Sequence, residues 1–201
     1  MKKQELAEKV FIEVGSIAKT ADFISAGLKS YDLAFLCQND IIRRVRPGYY
    51  QLSKYGKASD EILLSRMLPQ SIICMESALF HYGYCELAPS EWTVAVPRTM
   101  SRAVKQMQAV PLKAYYIQKE HFDIGKTLDY FNGVQLAVYD RERTICDCFK
   151  HRSKLDNELF NKAVNAYAAD HNKNLANLYT YAMQLRLYSK VMNVMEVLLN
   201  T

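Results

Sequence analysis

The feature that most constrains the fold is the stretch from residue 17 to residue 52, which predicts two short helices and then a basic β-hairpin. Thr20 to Ala26 forms one helix, and Gly27 ends it because glycine tolerates the positive φ of a helix terminus. Ser30 is placed to cap a second helix over residues 31–38, whose apolar side chains recur at helical spacing. The stretch therefore predicts a helix-turn-helix.

The segment after the second helix predicts a β-hairpin with an excess of positive charge. Three arginines alternate imperfectly with the apolar side chains of its first strand: Arg43, Arg44 and Arg46. Pro47-Gly48 forms the turn, and the returning strand runs from Tyr49 to Leu52. An amphipathic helix over residues 4–14 is expected to pack beneath these elements. Two helices and a basic hairpin in this order are typical of a winged helix-turn-helix domain.

This arrangement favours binding to DNA. The start of the second helix can enter the major groove and reach base edges, whereas arginines on the hairpin contact phosphates and add affinity with little sequence information. We therefore expect contacts to double-stranded DNA from nine residues: Lys29, Ser30, Tyr31, Asp32, Arg43, Arg44, Arg46, Tyr49 and Lys54. A domain of the same fold that serves only protein contacts is the alternative.

The distribution of charge agrees with this expectation. Residues 1–57 hold 10 Lys and Arg against 6 Asp and Glu, so they carry +4 of the net charge of +5. Positive charge concentrated in one part of a chain is the electrostatic footprint of a nucleic-acid-binding surface.

A second domain, over residues 57–201, is predicted to follow a polar connector after the first domain, 1–56. Apolar stretches place strands near residues 72, 93, 115, 129 and 136, and Asn132-Gly133 is a strong hairpin signal. The chain from residue 153 onward reads as helical. The predicted fold class is therefore α+β: a winged helix-turn-helix domain, then an α/β domain with a small mixed sheet and a C-terminal helical part.

Two groups of polar residues in the second domain have both a functional and an ordinary structural interpretation. Ser77 and His81 lie four residues apart on a predicted helix, as a nucleophile and its base can do. No orienting acid is evident from the spacing, and His81 can instead bond a backbone carbonyl. Three basic residues either contact phosphates or form a solvated face: Arg98, Arg102 and Lys105.

Four stretches resemble, in the same order, motifs of AbiEi-type antitoxins. The first runs from Lys29 to Leu52, contains LCQNDIIRRVRPGYYQL and resembles the N-terminal domain of that family. The others are ESALFHYG, TVAVPR and ERTICD, which begin at Glu76, Thr93 and Glu142. Each motif is short, so their common order carries more weight than any one of them.

The resemblance implies a cytoplasmic bacterial antitoxin of a type IV toxin–antitoxin system, which acts in phage defence by abortive infection. It implies that the winged helix binds repeats in the protein's own promoter and acts as a transcriptional repressor. It also implies that the second domain counters a nucleotidyltransferase toxin without forming a stable complex with it.

The ERTICD stretch contains the most polar group of the second domain: Glu142, Arg143, Thr144 and Asp147. Asp140 is placed to cap this helix, and Arg143 can pair with Asp147 across one turn. Together with Ser77 and His81, the group either contributes to antitoxin action or is a capping and ion-pair network that fixes the helix to the sheet.

Other functions have little support in the sequence. No P-loop, dinucleotide-binding glycine pattern or zinc-protease motif occurs, so we expect no cofactor, no metal and no enzymatic activity. Five cysteines scattered through apolar contexts fit reduced cytoplasmic thiols, and no apolar run approaches the roughly 20 residues that span a membrane. Three alternatives remain open: a ligand-sensing winged-helix regulator, an interaction module and a nucleic-acid-processing enzyme of the nuclease type.

Overall fold

The chain divides into two units after Pro69. In the computed structural model, which describes residues 3–199, an N-terminal unit holds the residues up to Pro69 together with Met107–Val110. A C-terminal unit holds Gln70–Gln106 and the residues from Pro111 onward. The fold class is α+β with small sheets and a helical C-terminal part, as the sequence predicts.

The N-terminal unit combines, within the described range, four α-helices and a three-stranded antiparallel sheet. Its elements are, in chain order, α1 (Lys3–Val14), β1 (Ala18–Lys19), α2 (Thr20–Ser25), α3 (Ser30–Gln38), β2 (Ile42–Arg46), β3 (Tyr49–Leu52) and α4 (Asp60–Met67). The strand order is β1-β3-β2. The predicted helix-turn-helix and hairpin are confirmed, and the short strand β1, which sequence reasoning missed, pairs with the other edge of β3.

The core of the N-terminal unit is built around Phe23, whose side chain is fully buried. Its ring meets Phe11 of α1 and Tyr50 of β3 edge to face, with ring centroids 5.5 Å and 5.7 Å away. Because α1, α2 and β3 each contribute one ring, this contact fixes the first two helices against the sheet.

The two helices of the helix-turn-helix begin in the same way. Asp22, the third residue of α2, accepts a hydrogen bond from Lys19 N at 2.7 Å, and Asp32, the third residue of α3, accepts one from Lys29 N at 2.8 Å. Each carboxylate satisfies a backbone donor at a helix start, where the helix dipole also favours negative charge. The prediction that Ser30 caps α3 is wrong, because Lys29 precedes the helix and Ser30 already lies in its first turn.

The N-terminal unit extends past the predicted boundary at residue 56. The Gln51 side chain bonds the backbone on both sides of that boundary, at Gly56 O and, over 3.1 Å, at Ala58 N. Arg66 of α4 donates a hydrogen bond to Val14 O at the end of α1. The polar connector is therefore held against the hairpin, and α4 belongs to the first unit.

The C-terminal unit contains, in the described part of the chain, a five-stranded sheet, three short α-helices between its strands and four α-helices after it. Its strands are β4 (Ile72–Ile73), β5 (Trp92–Pro97), β6 (Leu112–Ile117), β7 (Lys126–Phe131) and β8 (Val134–Tyr139). Its helices are α5 (Met75–His81), α6 (Ser101–Lys105), α7 (Lys119–Phe122), α8 (Arg141–Lys150), α9 (Asn157–Ala169), α10 (Leu175–Gln184) and α11 (Tyr188–Leu199).

The sheet of the C-terminal unit is mixed, as predicted, with strand order β6-β5-β4-β8-β7. The pairs β5–β6 and β4–β8 are parallel, whereas β4–β5 and β7–β8 are antiparallel. Asn132-Gly133 turns the β7–β8 hairpin with φ of 47° and 81°, the positive values that this dipeptide accepts readily. The short helix α7 was not predicted.

One face of this sheet packs against the C-terminal helices. The buried side chains that the sheet contributes are Ile72, Ala95, Tyr115, Ile117 and Tyr139. The helices α8–α11 contribute buried side chains such as Phe149, Tyr167, Ala182 and Val191. Burial of this continuous apolar layer is the main source of stability for the unit.

Phe23→Ala should destabilise the N-terminal unit by about 3–5 kcal/mol, because it leaves a cavity between two aromatic rings. Phe35→Ala is the matched control: its ring is 48% exposed, so its loss should change stability by no more than about 0.5 kcal/mol. Urea unfolding followed by circular dichroism measures both. Equal stability of the two variants would show that the three-ring contact does not support this unit.

Candidate functional site

The second helix of the helix-turn-helix, α3, presents a distinct surface to solvent. Its inward face carries Leu33 and Leu36, which are buried in the core of the N-terminal unit. We call the opposite side the α3 outer face; its exposed residues are Ser30, Tyr31, Ala34, Phe35 and Gln38. The Tyr31 side chain is 63% exposed. The predicted contact residues Ser30 and Tyr31 therefore lie on an accessible surface.

Cationic side chains surround the start of this face. Lys3 Nζ lies 5.3 Å from the ring centroid of Tyr31 and 5.3 Å from that of Phe35. Lys29 Nζ lies 5.9 Å from the Tyr31 ring. Amines placed next to aromatic rings hold positive charge close to the surface that a helix offers to a groove.

Asp32 is not part of the α3 outer face. Its side chain is buried and forms an ion pair with Lys3 Nζ at 2.7 Å, in addition to its bond from Lys29 N. The bond from Lys3, followed by that from the Lys29 backbone, lowers the pKa of the Asp32 carboxyl. The prediction that Asp32 contacts DNA is therefore corrected: its carboxylate is committed to the helix start.

The wing arginines divide between the two faces of the hairpin. Arg44 lies opposite Tyr50 and donates a hydrogen bond to the Tyr50 hydroxyl at 3.0 Å, which places it on the face that carries the helices. Arg43 lies opposite Gln51 on the other face. The strand register shifts between Arg44 and Arg46, so the alternation expected from the sequence breaks there.

Arg46 pairs with Tyr49, which lies on the opposite hairpin face from Tyr50. The Arg46 guanidinium lies 4.2 Å from the Tyr49 ring centroid, and Lys19 Nζ lies 6.0 Å from the same ring. Lys54, beyond β3, is exposed and pairs with Glu8 at 3.3 Å. Of the predicted wing residues, Arg44 is therefore the one on the same side of the sheet as α3.

The basic residues predicted for the second domain are solvent exposed in the C-terminal unit. Arg98 begins a 3₁₀ turn, and Arg102 and Lys105 lie on α6. Exposure agrees with both interpretations, a phosphate contact or a solvated face, so the contact of these residues with DNA remains a prediction.

Arg143 forms the centre of a buried network on α8. Its side chain is fully buried, and Nε donates to Asp147 Oδ1 at 3.1 Å, the pair expected from their spacing. Nη1 donates to His121 O at 2.7 Å and to Ile124 O at 2.8 Å. The guanidinium carbon also lies 4.1 Å from the ring centroid of Tyr139. Arg143 therefore connects three parts of the C-terminal unit: the segment before β7, the helix α8 and the end of β8.

The neighbours of Arg143 on α8 are equally engaged. Asp140 caps the helix by accepting from Arg143 N at 2.8 Å, as predicted. Glu142 accepts from Tyr167 Oη at 3.2 Å and from Asn174 N at 2.7 Å. Thr144 is buried, and its hydroxyl donates a hydrogen bond to Tyr139 O at 3.2 Å. Burial and mutual bonding of these groups favour the interpretation as a capping and ion-pair network.

Ser77 and His81 bond to different partners. Ser77 is buried; its Oγ accepts from Thr93 N at 2.8 Å, and its N donates to Thr93 Oγ1 at 2.8 Å. His81 Nε2 lies 2.8 Å from Asp129 Oδ2 on β7, so the predicted bond to a backbone carbonyl is replaced by one to a carboxylate. The His81 bond is the first cause of a lowered pKa for Asp129. This geometry gives no support to a nucleophile–base pair.

A polar cluster in the C-terminal unit was missed from the sequence. Glu76 Oε1 forms an ion pair with Lys113 Nζ at 2.9 Å, and the ring centroids of Tyr115 and His151 lie 5.0 Å apart. Among the described residues, three buried atoms of this cluster lack a hydrogen-bond partner: Glu76 Oε2, Tyr115 Oη and His151 Nε2. The four residues come from α5, β6 and the end of α8, so no local motif could reveal them.

No helix between residues 3 and 199 is both long and apolar enough to cross a membrane. In the same range, no three His, Cys, Asp or Glu side chains are grouped so that they would hold a metal ion.

Taken together, these features define an α+β protein whose first unit is a helix-turn-helix with a basic wing. The same fold occurs in the crystal structure of the RV2827C protein from Mycobacterium tuberculosis, to which this chain is similar with a TM-score of 0.63 and 13% identity over 98% of this chain and 80% of that chain. At this identity the likeness concerns the fold alone. Neither a family model nor a curated protein matches the sequence.

Asp147→Asn should destabilise the C-terminal unit by about 3–5 kcal/mol, because it leaves the buried Arg143 guanidinium without its counter-charge. Asp123→Asn is the control, since that carboxyl is 77% exposed and its pair with Lys126 is worth no more than about 1 kcal/mol. Chemical denaturation of both variants measures the difference. A small effect of Asp147→Asn would show that Arg143 is held by its carbonyl partners alone.

His151 should make the protein less stable as the pH falls. Burial, and then the charges of Lys150, Lys154 and Arg143, lower its pKa to about 4, while Glu76 opposes them. The unfolded chain, with an ordinary pKa of roughly 6.5, then binds more protons than the folded one between these values, so stability falls as the pH drops from about 7 towards 4. Between pH 7 and pH 5, the urea midpoint of wild type should fall by more than that of His151→Phe, which lacks the titrating group. A constant difference would contradict this origin of the pH dependence.

Proposed function

We propose that this protein is a DNA-binding autorepressor and antitoxin of a type IV toxin–antitoxin operon. The observation that carries the DNA-binding part is the accessible α3 outer face, with Lys29 at its start and Arg44 on the same side of the sheet. A helix flanked by cations can place its outer face in the major groove while the cations neutralise the phosphates on either side.

The antitoxin part is supported by the resemblance to AbiEi-type antitoxins. Four motif stretches occur in the order found in that family, and they span both units of the chain. In this proposal the winged helix represses the operon at promoter repeats, and the C-terminal unit opposes a nucleotidyltransferase toxin without a stable complex. The buried α8 network keeps that unit folded, so the toxin-opposing surface lies on exposed residues outside it.

A ligand-sensing regulator is a second candidate, and the polar cluster favours it. Glu76 Oε2 and His151 Nε2 are unpartnered among the described residues, and two lysines lie beside Tyr115: Lys113 and Lys154. Such a group offers hydrogen bonds and charge to a small polar molecule. Affinity for DNA that changes with added metabolites would favour this candidate over the antitoxin.

The first test is binding to a labelled fragment of the protein's own upstream DNA, against a scrambled competitor, over a series of salt concentrations. We expect binding that survives the competitor and weakens steeply with salt, since phosphate contacts release counterions. Equal, weak binding to both fragments would contradict the repressor proposal.

Arg44→Ala should weaken binding to all DNA sequences and lower the salt slope by about one unit for each lost phosphate contact. Arg43→Ala should have the smaller effect, because Arg43 lies on the opposite face of the hairpin. Lys190→Ala, an exposed residue of α11, is the control for loss of one positive charge. If the Arg44→Ala slope equals that of wild type, the wing lies outside the interface.

The Arg44→Ala variant should lose repression of the operon but keep its antitoxin action. Cells that express the cognate nucleotidyltransferase toxin should grow when they also express wild type or Arg44→Ala, because the wing is proposed to serve DNA only. A reporter under the operon's promoter should be derepressed by the same variant. Failure of wild type to restore growth would remove the antitoxin part and leave the DNA-binding part standing.

A further inference from the structure

The helix α3 lacks the residues that read guanine. Its sequence from Ser30 to Gln38, SYDLAFLCQ, contains no arginine and no lysine. Arginine or lysine bonded to guanine O6 and N7 is the commonest base-specific contact in the major groove. The helix body therefore has no side chain suited to a G·C pair through this contact.

The α3 outer face instead offers apolar groups. Ala34 presents a methyl group, and the Phe35 ring is 48% exposed one position further on. Small apolar side chains and phenylalanine are the groups that contact the thymine methyl in the major groove. Gln38, on the same face, carries the amide that pairs with adenine N6 and N7.

The charges around this face indicate duplex DNA as its partner. Lys29 lies over the exposed Tyr31 ring, and Arg44 lies on the side of the sheet that carries α3. The carboxylate closest to the start of the face, that of Asp32, is buried and neutralised by Lys3. An apolar strip with a cationic border matches a groove whose floor carries methyl groups and whose rims carry phosphates.

We propose that α3 recognises thymine methyl groups, chiefly through Ala34 and Phe35, with Gln38 directed at a neighbouring adenine. The base pairs beneath the helix are then A·T pairs in a defined orientation. This inference rests on the proposed DNA-binding function and adds to it the chemical group that is read.

The test replaces thymine by deoxyuridine, which removes the methyl group and leaves the base pairing intact. In the upstream fragment, every thymine of the protected region is exchanged on both strands, and a second fragment carries the same number of exchanges outside that region. We expect the dissociation constant to rise about fourfold for each methyl group that the helix buries, and the second fragment to bind normally.

The same measurement with Phe35→Ala links the methyl group to the protein. The variant should bind the thymine fragment more weakly and should lose part of the difference between thymine and deoxyuridine. Phe80→Ala is the matched control, because Phe80 is also an exposed helical ring, 43% accessible, but lies on α5 of the C-terminal unit. This control should keep the full difference.

Three outcomes are distinguishable. A rise in the dissociation constant that is confined to exchanges in the protected region and reduced in Phe35→Ala supports the inference. Specific binding that is equal for thymine and deoxyuridine fragments overturns it and leaves the proposed function intact. No specific binding to the unmodified fragment overturns both.

Discussion

The C-terminal unit depends on one buried guanidinium. Arg143 gives its hydrogen bonds to Asp147 and to two carbonyls of the segment before β7, and it stacks on Tyr139. Removing such a charge from water is costly, so the site persists only because these partners are fixed around it. Gly125, with φ of 71°, completes the site, since a Cβ there would collide with the Arg143 side chain.

The two units use charge in opposite ways. The C-terminal unit buries charged side chains of α8, including Glu142, Arg143 and Asp147, and these side chains bond to other groups of the same unit. The N-terminal unit keeps most of its cations at the surface, where Lys29 and Arg44 border the α3 outer face. Charges that are already bonded inside a fold are unavailable to a partner, whereas exposed cations can still bind one.

Local patterns predicted the elements well, because helix periodicity, Gly27 and Asn132-Gly133 act over a few residues. Roles that depend on distant partners were harder to predict. Asp32 looked like a contact residue, but the amine of Lys3 from another helix turns it inward. The face on which Arg46 lies depends on a register shift, and His81 finds Asp129 through the fold of the sheet, so neither followed from spacing along the chain.

The strand order of the C-terminal unit has a consequence for synthesis on the ribosome. The central strand β4 pairs on one side with β5, which follows soon after it, and on the other with β8, where Ile73 meets Val138. One side of β4 therefore stays unpaired until the chain up to β8 has been translated. Most of the N-terminal unit has by then already emerged from the ribosome. With only two residues, β4 offers a nascent neighbour little to pair with, which limits aggregation during this interval.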